Sequence, residues 1–185
     1  MADLIMLVGG SRSGKSSYAE QMAMTWAVQD EMEVYYLATG SIWDDEFAER
    51  VKNHRLRRPT DWHTIEETCD IDQALLAVNE RGAIFLIDGI GSWVANLMYR
   101  DNCPDFTWNA DKEKLFFSQV EALIAACKIR SGRIILVADE VGMAIVPKNE
   151  QARIFRDLNG WTNQRLAQSA SEVFLLSCGI PMRLK

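Results

Sequence analysis

The segment Gly9-Gly10-Ser11-Arg12-Ser13-Gly14-Lys15-Ser16 fits the pattern G-x-x-x-x-G-K-[ST]. An apolar run, Leu4 to Val8, precedes it and an amphipathic stretch from Lys15 to about Val28 follows. Glycines let the backbone curl until successive N–H groups face one centre, and a helix N-terminus adds its partial positive charge. In that frame Lys15 reaches the β- and γ-phosphates of a nucleotide and the Ser16 hydroxyl ligates Mg²⁺. The competing reading is an accidental turn, which the strand–turn–helix setting argues against.

Phosphate chemistry of this kind also needs an acid at a neighbouring strand end, to hold Mg²⁺ or its water. Two runs supply one: Ile84 to Ile87 leads into Asp88, and Ile134 to Ala138 leads into Asp139 and Glu140. Both acids would emerge at the carboxyl edge of a sheet, where open α/β folds bind ligands. Each could instead cap the following loop. The unbroken run into Asp88 favours it slightly.

A third group surrounds His54. Asp44-Asp45-Glu46 favour a helix start, and Phe47, Val51 and His54 then share one face. Arg50, Lys52, Arg55, Arg57 and Arg58 crowd the same stretch of an otherwise acidic chain. A solvated helix end is one reading of them; a triphosphate site is the other, because guanidinium forks pair with phosphate oxygens. A neutral imidazole can attack phosphorus, and nearby cations favour the neutral form. His63, between Trp62 and Thr64, reads as structural.

These groups need a frame. The chain has 185 residues, 48% hydrophobic and 25% charged, which suits one domain over 1–185 with a sizeable core. Short apolar runs alternate with longer amphipathic ones. Strands are expected at Leu4–Val8, Val34–Ala38, Trp62–Ile65, Ala83–Ile87 and Arg133–Ala138. A closing hairpin is expected from Glu172–Ser177 and Met182–Lys185. Helices are expected near Lys15–Val28, Asp44–Arg55, Ile71–Asn79, Ser92–Tyr99, Lys112–Ile129 and Asn149–Ser169, with Gly160 a weak point in the last. Asp101–Asp111 reads as a loop. Strands apolar throughout and separated by helices mean an α/β fold: a mainly parallel sheet covered on both faces, ending in an antiparallel hairpin.

Net charge is −6, with no basic–aromatic stripe, which argues against a nucleic-acid partner. No apolar run is long enough to span a bilayer and no signal peptide is visible. Cys69, Cys103, Cys127 and Cys178 have no CxxC spacing, so a zinc site is not expected and reduced thiols in a cytoplasm are.

The pieces together resemble the bifunctional adenosylcobinamide kinase / adenosylcobinamide-phosphate guanylyltransferase family of cobalamin biosynthesis. The resemblance rests on the glycine loop, Ala38-Thr39-Gly40, Arg50-Val51-Lys52-Asn53-His54-Arg55, Arg58-Pro59 and Trp62-His63-Thr64-Ile65-Glu66. It continues through Asp88, Asn96-Leu97, Glu140-Val141-Gly142-Met143-Ala144-Ile145-Val146-Pro147 and Asn163-Gln164-Arg165-Leu166-Ala167. It runs in order over nearly the whole chain. Family members often have Asn where Asp139 stands, and some carry a second histidine where this chain has Asn53.

The resemblance implies a P-loop fold and two reactions. One transfers the γ-phosphoryl of ATP or GTP to the aminopropanol hydroxyl of adenosylcobinamide. The other transfers GMP from GTP to that phosphate through a guanylylated histidine, here His54, giving adenosylcobinamide-GDP and pyrophosphate. It places nucleotide contacts on Gly9 to Ser16, on Ala38, Thr39 and Gly40, on Arg55, Leu56, Arg57 and Arg58, and on Glu66 and Asp88. It also implies a homotrimer in some members. A P-loop kinase of another small molecule is the alternative, as is a nucleotide-dependent binding module. Trp43, Trp93, Met98 and Trp108 could line a corrinoid site, but core or subunit-interface positions suit them better.

Overall fold

The computed structural model describes residues 3–40, 58–80, 82–100 and 106–185. Among them, seven strands form one sheet: β1 (Asp3–Gly9), β2 (Val34–Ala38), β3 (His63–Glu66), β4 (Ile84–Asp88), β5 (Arg133–Asp139), β6 (Glu172–Ser177) and β7 (Ile180–Arg183). Their order is β3-β2-β4-β5-β1-β6-β7. The first six in chain order pair in parallel, and β7 returns antiparallel to β6. The helices among these residues are α1 (Lys15–Asp30), α2 (Ile71–Ala77), α3 (Ile90–Tyr99), α4 (Ala110–Ile129) and α5 (Glu150–Ser169).

Alternation along the strands sorts the core into two layers. Leu4, Met6, Phe85, Ile87, Ile134 and Leu136 pack with residues of α2 to α5. Ile5, Leu7, Val34, Ile84, Leu86, Ile135 and Val137 pack with Ala19 and Ala23 of α1. Ile84 through Ile87 are all fully buried, as a central parallel strand covered on both faces requires.

Within the described residues the expected elements are present, several with shifted ends. The short strand begins at His63 rather than Trp62, and the last begins at Ile180 rather than Met182. Helix α4 starts two residues before Lys112 because Asn109 caps it, its side chain accepting from the Lys112 N–H at 3.0 Å. Gly160 does not interrupt α5: the helix runs through it, and a Cβ there would meet nothing within 4 Å. The expected helix Asp44–Arg55 and the start of the Asp101–Asp111 loop lie outside the described residues.

Sheet register decides what the strand ends share. Glu66, Ala38 and Asp88 are aligned across β3, β2 and β4. Gly9 is aligned with Asp139 on one side and Leu176 on the other. Strand β5 therefore separates the Asp88 strand from the strand that feeds the glycine loop.

Candidate nucleotide site

Helix α1 opens at Gly14, whose φ of 96° is left-handed, and no side chain caps it. Its first N–H groups thus face the loop, the usual arrangement for an anion. Gly9 is required by a close approach: a Cβ there would stand 2.4 Å from the Leu176 carbonyl oxygen and 2.8 Å from Ser13 Oγ. The loop is braced from an unexpected direction. The Gly179 N–H, in the β6–β7 turn, donates to the Ser13 carbonyl at 2.8 Å. A Cβ on Gly14 would come within 3.0 Å of Gly179 Cα. The hairpin read from the sequence as an edge element is therefore also a buttress of the loop. No local sequence signal connects residues so far apart.

Lys15 is 7% exposed. Its Nζ donates to the Gly10 carbonyl at 2.8 Å and lies 3.0 Å from Asp139 Oδ1. Of the two acids considered from sequence, Asp139 is the one seen against the loop lysine, because β5 is the neighbour of β1. The surroundings fix it. Asn159 and Asn163 Nδ2 donate to the Asp139 carbonyl at 2.7 and 2.9 Å. Gly91, in the first turn of α3, leaves room for the carboxylate: a Cβ there would fall 2.5 Å from Oδ2. Sequence reasoning passed over Gly91, Asn159 and Asn163, although two amides four residues apart on one helix face are a recognisable pairing.

Asp88 has a different setting. The Tyr36 hydroxyl donates to its Oδ2 at 2.8 Å. Burial pushes the Tyr36 phenol well above its ordinary range, and the Asp88 carboxylate adds to the rise, so Tyr36 remains a donor at any working pH. The Arg58 guanidinium lies over the same ring, 3.2 Å from its centre. Arg58 thus covers the Tyr36 ring, whose hydroxyl holds Asp88 at the end of β4.

Thr39 is fully buried. Its hydroxyl donates to the Gly89 carbonyl at 2.6 Å and accepts from the Gly89 N–H at 2.8 Å, while Asn96 Nδ2 donates to the Thr39 carbonyl at 2.7 Å. Its side chain therefore ties the β2 end to the β4 end, leaving Ala38 and Gly40 half-buried at the rim. Glu66 is exposed and in register with Ala38. The structure brings together Gly9 to Ser16 and Asp139 as one group, and Ala38 to Gly40, Arg58, Glu66 and Asp88 as another. His54, Arg55, Leu56 and Arg57, with Trp43, lie outside the described residues.

His63 stacks on Tyr35, ring centres 4.7 Å apart, with Nε2 3.3 Å from Glu33, a structural position on the β3 edge. Trp93 and Met98 are buried in the core, and the Trp93 indole donates to the Cys69 carbonyl at 2.7 Å. Trp108 lines a pocket of about 330 Å³ with Leu97, Phe116 and Leu115, to which neither the glycine loop nor a strand end contributes. Cys69, Cys127 and Cys178 are free thiols.

The chain matches the family model described as cobinamide kinase / cobinamide phosphate guanyltransferase over residues 5–184. It is 37% identical to the bifunctional adenosylcobalamin biosynthesis protein CobU of Escherichia coli, over 98% of this chain and 99% of that protein. It is 36% identical to the bifunctional adenosylcobalamin biosynthesis protein CobP of Pseudomonas aeruginosa, over 100% of this chain and 98% of that one. Among solved structures, the flagellar accessory protein FlaH of Methanocaldococcus jannaschii aligns with a TM-score of 0.50 at 14% identity, covering 99% of this chain and 78% of its own, a likeness of fold alone. Matched from its first strand to its last, the chain belongs to the cobinamide kinase / cobinamide phosphate guanyltransferase family.

Proposed function

We propose that this protein phosphorylates adenosylcobinamide with ATP or GTP and then transfers GMP from GTP to the phosphate so formed. The observation that carries the proposal is Lys15: a buried amine at the uncapped start of α1, held by a carbonyl and a carboxylate that phosphate oxygens can replace. In the first reaction the substrate hydroxyl oxygen bonds to the γ-phosphorus, the bond to the bridging oxygen breaks, the nucleoside diphosphate leaves and the hydroxyl proton is released. Lys15 and the α1 N–H groups offset the charge on the phosphates. In the second, a His54 ring nitrogen bonds to the α-phosphorus of GTP and pyrophosphate leaves. A phosphate oxygen of adenosylcobinamide phosphate then displaces the histidine, giving adenosylcobinamide-GDP. A covalent carrier divides one difficult transfer into two easier ones. Arg55, Arg57 and Arg58 would orient the triphosphate, with Leu56, Glu66 and the Ala38–Gly40 rim beside the nucleoside.

Mg²⁺ fits the donor set. Among the described residues no group of three or more His, Cys, Asp or Glu could hold a metal ion by itself. Ser16 would offer its hydroxyl to the ion directly, and Asp88, whose strand is separated from β1 by β5, would act through a bound water, which suits an ion that completes its shell with water and phosphates. When bound it would neutralise phosphate charge. We also place the enzyme in the cytoplasm as a homo-oligomer, a trimer by family resemblance. No helix among the described residues is long and apolar enough to cross a membrane.

Incubation with α-labelled GTP tests the reading. An acid-labile, base-stable label on the protein, absent from His54→Ala, is expected. Tight GTP binding with no label would remove the guanylyl transfer and leave a P-loop kinase.

A further inference from the structure

We infer that Val141–Pro147, the segment leaving β5, is the ledge on which the corrin ring of the acceptor is seated; this rests on the cobinamide reading above. Met143, Ile145 and Val146 are 84%, 94% and 61% exposed. In a chain that is 25% charged, these seven residues carry no charge. Large apolar side chains gathered in this way on a surface mark a contact.

The ledge adjoins the phosphate site. Asp139, which meets Lys15, lies two residues before Val141, and the Glu140 N–H between them donates to the Gly9 carbonyl at 2.9 Å. Its shape is held at both roots. The Glu140 carboxylate accepts from the N–H groups of Gly142 and Met143 at 2.8 and 3.1 Å. Arg153 Nη1 donates to the carbonyls of Pro147 and Lys148 at 3.0 and 2.6 Å. Asn159 and Asn163 of α5 hold the Asp139 carbonyl at the end of β5, so the helix that follows the segment is anchored at the same strand end. The segment therefore joins the end of β5, where Asp139 meets Lys15, to the first turn of α5.

The chemistry selects the occupant. Cobinamide presents a broad corrin with apolar edges and uncharged amide arms, and its reacting hydroxyl is on a flexible arm. An uncharged apolar ledge suits that macrocycle. A second nucleotide would need cations, which the segment lacks.

The test uses Met143→Ser, Ile145→Ser and the double variant, with Ile129→Ser, another exposed apolar position, on α4, as control. Cobinamide binding is read from its visible absorption in the presence of a non-hydrolysable ATP analogue, alongside KM in the kinase assay, analogue Kd, and sedimentation. Weakening of cobinamide binding by about ten-fold or more in the double variant is expected, because two large apolar side chains no longer cover the macrocycle. Analogue Kd should stay within two-fold, and Ile129→Ser should behave as the parent. Unchanged cobinamide affinity would overturn the inference, and a smaller assembly with unchanged affinity would assign the segment to a subunit contact instead. Parent protein that binds cobinamide through these residues without phosphorylating it would keep the seat and remove the kinase reading; parent that does not bind it removes both.

Discussion

The Nζ of Lys15 lies 3.0 Å from Oδ1 of Asp139, so the loop lysine meets a carboxylate on the strand beside the one that feeds its loop. That carboxylate competes with phosphate for the amine and adds negative charge where a triphosphate must sit. Its side chain is 42% exposed, so water screens the pair and the effect is modest. Asp139→Asn should tighten ATP and GTP binding by roughly two- to five-fold at low salt. The gain should shrink in 0.5 M salt as the Debye length contracts. Calorimetric titration at two ionic strengths measures it; weaker binding in the variant would mean that Asp139 serves the nucleotide rather than rivals it.

Lys15→Ala removes the one buried cation of the loop. Nucleotide affinity and both reactions should fall, kinase turnover by about a hundred-fold or more, the scale for loss of one charge-stabilising donor. Steady-state assays on folded variant decide it, and unchanged turnover would refute the assigned role.

Gly9→Ala probes the close approach of β1 to β6. A Cβ would fall 2.4 Å from the Leu176 backbone oxygen, which cannot rotate away. The variant should lose about 1–3 kcal/mol of stability by urea denaturation, together with nucleotide affinity. Gly160→Ala, where the space is open, should be neutral or slightly stabilising.

Tyr36→Phe keeps the ring beneath Arg58 and deletes the hydroxyl that donates to Asp88. A hydrogen bond to a carboxylate contributes about 1.5–3 kcal/mol. The urea midpoint should drop accordingly, with far-ultraviolet dichroism unchanged.

Alkaline pH should destabilise the fold partly through Cys127. Burial pushes its thiol from 9.0 up to about 12, because the thiolate loses hydration among the core residues. Above pH 9 the unfolded chain releases this proton while the folded one keeps it, so folding stability is full below about pH 9 and declines as pH rises towards 12. Cys127→Ala should show a shallower loss between pH 9 and 10.5, from a parent value lowered by about 1–2 kcal/mol through poorer packing. Equal slopes in both proteins would remove Cys127 as a cause.

The alternation of apolar runs with amphipathic helices was enough to read a mainly parallel α/β sheet with an antiparallel end, because side-chain period is a local property of the chain. The loop around Lys15 was equally legible: its glycines, lysine and serine do their work within a few residues of one another. The resemblance through the stretches His54 to Trp62 and Glu140 to Pro147 added the family. Tertiary structure alone decided which strands became neighbours, and with them which acid meets Lys15, because pairing across β1 and β5 joins residues more than a hundred positions apart. It alone laid Arg58 on Tyr36, set the Gly179 turn against Ser13, and placed Trp93 and Met98 in the core while Met143 and Ile145 faced water. Burial and contact are set by how whole elements pack, and apolar residue types by themselves do not say which of them will find a partner.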